Sequence, residues 1–176
     1  MNEATFGAGC FWCIEACFKE LSGVIDVIPG YSGGSLENPC YKQVCAGDTG
    51  HAEVIRVIYD ERIISYSKLL EAFWFVHDPT QLNRQGNDIG SHYRSVIFYH
   101  DNHQLSQAQF YLKKLESEEV WEGKIVTEIS PLINFFRAEE YHQEYLKRNP
   151  DNMYCQVMIR PKYEKFKSVF SSLLRK

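Results

Sequence analysis

The sequence predicts an α+β fold: a two-layer split βαβ core of the ferredoxin-like kind, with long active-site loops and a C-terminal helical extension. Three observations predict it. Hydrophobic periodicity changes along the chain in the order strand, helix, strand, strand, helix, strand. Two stretches rich in turn residues, at 29–50 and 77–90, interrupt that order and are too long for ordinary connections. An apolar stripe at helical spacing follows Pro161. Nothing among the 176 residues repeats, and no linker composition divides them, so residues 1–176 are expected to form one domain.

Each element has its own justification. Residues 4–8 are a short apolar strand that runs into a turn at Gly7 and Gly9. From Phe11 the period becomes helical, with Ile14, Cys17, Phe18 and Leu21 on one face and Gly23 as the stop. Residues 24–28 form a second strand, closed by Pro29 and Gly30. Residues 29–50 hold no period and are expected to be one long loop. Residues 51–59 are a strand. Residues 66–76 are a helix with Leu69, Leu70 and Phe73 inward and Ser65 or Ser67 as its cap. After the second loop come a strand at 95–99, a charged helix at 104–118, a short strand at 125–129 and a helix at 138–147. Tyr163, Phe166, Phe170 and Leu173 mark the final helix, docked on the body.

Composition excludes several classes. Lysine and arginine number 19 against 23 aspartates and glutamates, a formal charge of -4, so no basic footprint for nucleic acid is present. No run of apolar residues is long enough to span a membrane. The first residues lack the basic and apolar regions of a leader, which predicts a soluble, cytoplasmic protein. Six cysteines in such a setting point to reactive thiols rather than a disulfide framework. A zinc knuckle is not predicted: Cys10-x2-Cys13 pairs poorly with the loose Cys40-x4-Cys45 spacing, so neither a metal nor a cofactor is expected.

Cys10 falls where the first strand meets the first helix. A thiol in the first helical turn faces unpaired N–H groups and the positive end of the helix dipole, and both favour the nucleophilic thiolate. Cys13 is either its redox partner or a packing residue. Cys17 lies on the apolar stripe and belongs to the core. Glu53, second in a strong strand, is either an edge residue or an acid placed for chemistry, in which case burial must raise its pKa. Phe11 and Trp12 cannot both enter the core stripe. At least one is expected to form a pocket wall, and an aromatic wall suits a methyl thioether.

Five blocks then occur in order over nearly the whole chain: GCFWC at 9–13, PGYSGG at 29–34, TGHAEVIRVIYD at 49–60, HDPTQLNRQGNDIGSHYRS at 77–95 and AEEYHQEYL at 138–146. In these the sequence resembles the peptide methionine sulfoxide reductase A family. The resemblance implies an enzyme that reduces methionine S-sulfoxide, free or in oxidised proteins, in a repair role. It implies Cys10 as the nucleophile and Glu53 as the acid on the sulfoxide oxygen. Tyr31 and Tyr93 would hydrogen-bond that oxygen, Asp88 would orient the substrate backbone, and Phe11 and Trp12 would hold its methyl group. Attack leaves Cys10 as a sulfenic acid, which a second cysteine converts to a disulfide for reduction by thioredoxin or another dithiol.

The resolving cysteine is left between Cys155, which follows the YHQ block without the usual flanking glycines, and Cys13; Cys40, Cys45 or an external thiol are further options. His92 stands where glutamine is common in the family. It is expected to be either a titrating group near Tyr93 and Asp88 or a neutral hydrogen-bonding substitute. The chain is expected to act as a monomer. Two rival readings are a thioredoxin-like exchange enzyme using Cys10 and Cys13, and a non-catalytic module that binds oxidised methionine.

Overall fold

The computed structural model describes residues Met1–Lys176. Its core is a sheet built from β1 (Asn2–Gly7), β2 (Val24–Ser32), β3 (Ala52–Tyr59) and β6 (Val96–Tyr99). The helices α1 (Phe11–Lys19) and α3 (Tyr66–Phe75) make the two crossovers. Within the sheet these strands lie in the order β6-β1-β3-β2, and every neighbouring pair is antiparallel. That is the split βαβ arrangement: β3 inserts between the two strands that α1 connects.

Two further strands widen the sheet. β7 (Glu128–Pro131) pairs parallel to β6, and β8 (Phe136–Arg137) pairs antiparallel to β2. A separate hairpin joins β4 (Arg84–Gln85) to β5 (Asp88–Ile89). The charged helix α4 (Asn102–Ser117) is capped by Asp101, whose side chain accepts the Gln104 N–H. Ser65 caps α3 by accepting from Lys68 N–H. Chain reversals at both helices are therefore set locally.

Alternation along β3 explains why it is central. Ile55, Val57 and Tyr59 enter the main core with Phe6, Phe18, Leu69 and Phe73. Ala52 and Val54 enter a smaller cluster on the opposite face with Val96 and Phe98, covered by Leu132 and Phe135. Phe6 anchors the main core, its ring 5.2 Å from Phe73 and 5.7 Å from Phe18. The C-terminal helix α6 (Arg160–Val169) docks on α1 through Phe166, which lies 6.5 Å from the Phe18 ring. No helix is long and apolar enough to cross a membrane.

Two expectations need correction, and the tail adds a feature of its own. Residues 29–50 are not one loop: β2 continues to Ser32, and a short helix α2 (Tyr41–Ala46) follows. Its capping box, with Gln43 accepting the Cys40 N–H, has a cysteine where serine or threonine usually signals a start. The segment 138–147 is not a helix. It contains a 3-10 turn (Glu140–His142) and a single turn α5 (Tyr145–Arg148), because the chain follows the body and sends its N–H groups to other elements. The N–H groups of Glu144 and Tyr145, for example, donate to the Glu15 carboxylate on α1. Finally, the tail begins with a π-helical turn (Cys155–Ile159) before α6, a single-turn irregularity of the kind that often marks functional positions.

The loop after β2 is pinned to β3. His51 accepts the Gly34 N–H at Nδ1 and sits 2.7 Å from the Leu36 carbonyl at Nε2. The two backbones approach so closely that a Cβ on Gly34 would lie 2.3 Å from the Thr49 carbonyl oxygen. Both atoms there are fixed backbone. Gly34→Ala is therefore expected to destabilise the fold by about 1–3 kcal/mol in urea unfolding. An unchanged midpoint would show that the loop is free to move away.

Candidate active site

The first crossover makes the site. Gly9 has a positive φ of 77°, which turns the chain sharply out of β1. Cys10 follows as the N-cap of α1 with extended backbone and no side-chain cap bond. The helix therefore opens with free N–H groups, one of which, on Phe11, donates to Glu53 Oε1 at 3.2 Å.

Glu53 is 1% exposed, and its Oε2 has no hydrogen-bond partner. An ionised carboxylate in that position would carry an unsatisfied, desolvated charge. Burial pushes its pKa up to about 8, and the Phe11 N–H only partly offsets this. The acid is therefore largely protonated at neutral pH. The cross-strand register sets Tyr31 on β2 opposite Glu53, and the solvent-edge reading of Glu53 is excluded.

Cys10 departs from expectation. Burial, reinforced by Glu53, raises its thiol well above the usual range, and the Trp12 N–H lowers it less. Desolvation thus outweighs the helix terminus, and Cys10 rests as a thiol rather than a thiolate.

The remaining groups gather from distant segments. Tyr93, in the 3-10 turn Ser91–Tyr93, has its pKa raised by burial and by Glu53, Tyr41 and Cys10, so it stands at the same spot. Tyr41, on α2, is raised by burial and by Glu53 as well. Tyr31 is fully buried, but its hydroxyl donates to Glu139 Oε1 at 2.8 Å rather than lying free. Asp88 accepts from the Tyr154 hydroxyl at 2.7 Å, and burial together with Cys10 raises that phenol's pKa. His92 is buried with an unpartnered Nδ1, and burial holds it below its ordinary pKa, so it is neutral.

The aromatic pair divides its roles. Phe11 is completely buried, packed on Tyr31 at 5.8 Å and His142 at 5.1 Å, so it is core rather than an open wall. Trp12 stays partly exposed. It stacks flat on Tyr145 at 3.7 Å, meets Tyr154 edge-on at 5.8 Å and donates its Nε1–H to His142 Nδ1. Tyr41, Glu139, His142 and Tyr154 are not singled out by the sequence. Only the YHQ block, which contains His142, carries a signal.

The thiols are arranged unevenly. Cys13 is one helical turn after Cys10 and packs in a small cluster with Cys155 and Ile159. Cys155 is completely buried, so a mobile tail does not carry it. Cys40 and Cys45 are exposed at α2, and no cysteine is cross-linked.

Linkage gives a test of the acid. A carboxyl whose pKa rises from 4.5 to about 8 on folding stabilises the fold most below 4.5 and loses that contribution as pH rises through 8. Glu53→Gln removes the titration. Its stability relative to the parent chain is expected to climb across that window by a few kcal/mol, since each tenfold change in proton affinity is worth about 1.4 kcal/mol. Urea unfolding at several pH values measures the difference; parallel curves would show an ordinary carboxylate.

The chain is similar to known proteins over nearly its whole length. The family described as Peptide methionine sulfoxide reductase matches residues 2–173. A peptide methionine sulfoxide reductase MsrA of Natronomonas pharaonis is 51% identical over 168 residues, covering 96% of this chain and 94% of its own. The crystal structure of reduced Mxr1 from Saccharomyces cerevisiae superposes with a TM-score of 0.81 at 38% identity, over 86% of this chain and 87% of that one. Mxr1 in complex with Trx2 superposes at 0.59 and 28% identity, over 82% and 84%. The chain, with its cysteine-bearing helix start and buried acid, belongs to the peptide methionine sulfoxide reductase MsrA family.

Proposed function

We propose that the protein reduces methionine S-sulfoxide, free or in oxidised proteins, with Cys10 as nucleophile and Glu53 as acid. The observation that carries this reading is the buried, unpartnered Oε2 of Glu53 beside the Cys10 thiol. A sulfoxide oxygen leaves sulfur only when protonated. A neutral carboxyl at that point offers the proton, and Tyr93 adds a second donor directed at the same oxygen. Tyr31 serves by holding Glu139 and the Phe11 ring.

The proton account balances. As the Cys10 sulfur attacks the sulfoxide sulfur, Glu53 protonates the oxygen and takes the Cys10 proton. A second proton from Glu53 breaks the S–O bond as water and leaves a Cys10–sulfonium link. That water attacks the Cys10 sulfur and returns its proton to Glu53; the S–S bond breaks, the thioether leaves with the electron pair and Cys10 is left as a sulfenic acid. Keeping both groups neutral at rest guards Cys10 from stray oxidants, because thiols react far more slowly than thiolates. Trp12, edged by Tyr154 and backed by Tyr145, offers the partly exposed apolar surface for the methyl group.

Cys13 is then the first resolving thiol. Its place one turn along a helix start is the position from which C-x-x-C pairs close. Condensation with the sulfenic acid releases water and leaves a Cys10–Cys13 disulfide. Cys155, packed against Cys13, exchanges into it, frees Cys10 and leaves Cys13–Cys155. Thioredoxin or another dithiol restores both thiols. This need for a donor supports a cytoplasmic location, and the enzyme acts there as a monomer.

Intact mass and peptide mapping test the scheme. One equivalent of methionine S-sulfoxide without reductant is expected to yield methionine, a loss of two hydrogens and a Cys13–Cys155 bond. Cys155→Ser is expected to stop at Cys10–Cys13, and a Cys10–Cys155 bond in Cys13→Ser at the parent rate would overturn the relay. Cys10→Ser should form no methionine. Glu53→Gln should lower turnover about 10²–10⁴-fold. A parent chain that forms no methionine would refute the reductase reading.

A further inference from the structure

We propose that the reduced protein binds one zinc ion through Cys45, Glu53 and His92, and that the ion reversibly shuts the site. One donor atom from each of these residues lies within 4.8 Å of the others. Ligands around tetrahedral zinc sit roughly 3.3–3.8 Å apart, given bonds of 2.0–2.3 Å. The three atoms therefore need to close by only about 1 Å.

The closing movement falls to Cys45. Cys45 occupies the last turn of the six-residue helix α2, ahead of the left-handed Gly47, around which there is open space. Its thiol is exposed, which gives an ion a route from solvent. Glu53 and His92 are the fixed walls, 1% and 5% exposed.

A second observation points to a ligand. Glu53 Oε2 and His92 Nδ1 are both buried with no hydrogen-bond partner, and such orphans are uncommon in folded proteins. The reductase chemistry accounts for the carboxyl alone. It gives no work to His92 or to Cys45. A thiolate, an imidazole and a carboxylate form a donor set suited to zinc, and three protein ligands leave a fourth place for water. Binding releases the thiol proton of Cys45 and the carboxyl proton of Glu53 to solvent, while neutral His92 contributes a lone pair.

The ion's effect on turnover rests on the reductase reading; its binding does not. With its carboxylate on zinc, Glu53 has no proton for a sulfoxide oxygen. Chelation restores the acid.

The test titrates ZnCl2 into the fully reduced chain against a chromogenic chelator and, separately, follows Co2+ binding by its thiolate charge-transfer absorption. One equivalent is expected to bind. Cys45→Ser and His92→Gln should each weaken binding at least about tenfold, while Cys40→Ser should not. Circular dichroism confirms that each variant folds. Binding unchanged in Cys45→Ser and His92→Gln, or abolished by Cys40→Ser, would overturn the site. So would a wild-type chain that takes up no ion. Sulfoxide reduction, each variant compared with its own zinc-free rate, should fall with zinc in the parent and not in Cys45→Ser; equal inhibition of both would overturn the shut-off. A chain that binds zinc through Cys45 and His92 yet reduces no sulfoxide would support the ion site and refute the reductase reading alone.

Discussion

The hydrogen bond from the Phe11 N–H to Glu53 ties the start of α1 to the middle of the sheet, and the chemistry of the protein depends on that tie. A carboxyl on a central strand, facing a core of aromatic rings, is costly if charged. The fold gives it one backbone donor and leaves the other oxygen bare. One donor fixes its position without stabilising the anion enough to keep it ionised. The result is an acid that holds its proton near neutrality and lies beside the sulfur it serves. The same burial keeps the Cys10 thiol protonated. A low-dielectric site therefore holds two protons, and the proposed chemistry delivers one of them to a substrate oxygen.

The thiols of the proposed relay lie along the same helix and the segment packed on it. α1 presents Cys10 toward Glu53 and Cys13 toward the C-terminal segment, where Cys155 and Ile159 pack on it. The π-helical turn at Cys155–Ile159 brings this thiol into the interior without a long mobile tail. Trp12, one residue before Cys13, stacks on Tyr145 and fixes the same segment from the substrate side. Glu15 fastens it further by accepting two backbone N–H groups from residues 144 and 145. One helix and its cap thus carry Trp12, Cys10 and Cys13, the wall, the nucleophile and the first resolving thiol of the proposed reaction.

Much of this is legible in the sequence, for identifiable reasons. The strand order follows from clean changes of period: Ile55, Val57 and Tyr59 alternate with Ala52 and Val54, and Phe18 and Leu21 recur on a helix face. Gly9 before Cys10 signals a sharp turn into a helix start. Long-range effects are not legible. The sequence misleads about the thiol pKa at Cys10 because a helix terminus is visible in it, whereas the burial of the thiol and the Glu53 carboxyl beside it are not. Residues 138–147 have helical spacing but spend their N–H groups on Glu15 and on turns. Helix α2 is hidden because Cys40 occupies its cap. Glu139 and Tyr154 lie more than 60 residues from the partners they bind, Tyr31 and Asp88, so no local pattern announces them.

The central claim is that Glu53 is a neutral acid in the folded, resting enzyme. The most direct measurement is an NMR titration of the glutamate side-chain carboxyl carbons in the fully reduced, 13C-labelled chain, with Glu53 assigned by its loss in Glu53→Gln. The account predicts a midpoint near 8, with the carboxyl protonated at neutral pH. A midpoint near the ordinary value of 4.5 would mean that the buried group is an anion, and the proton for the sulfoxide oxygen would have to come from elsewhere.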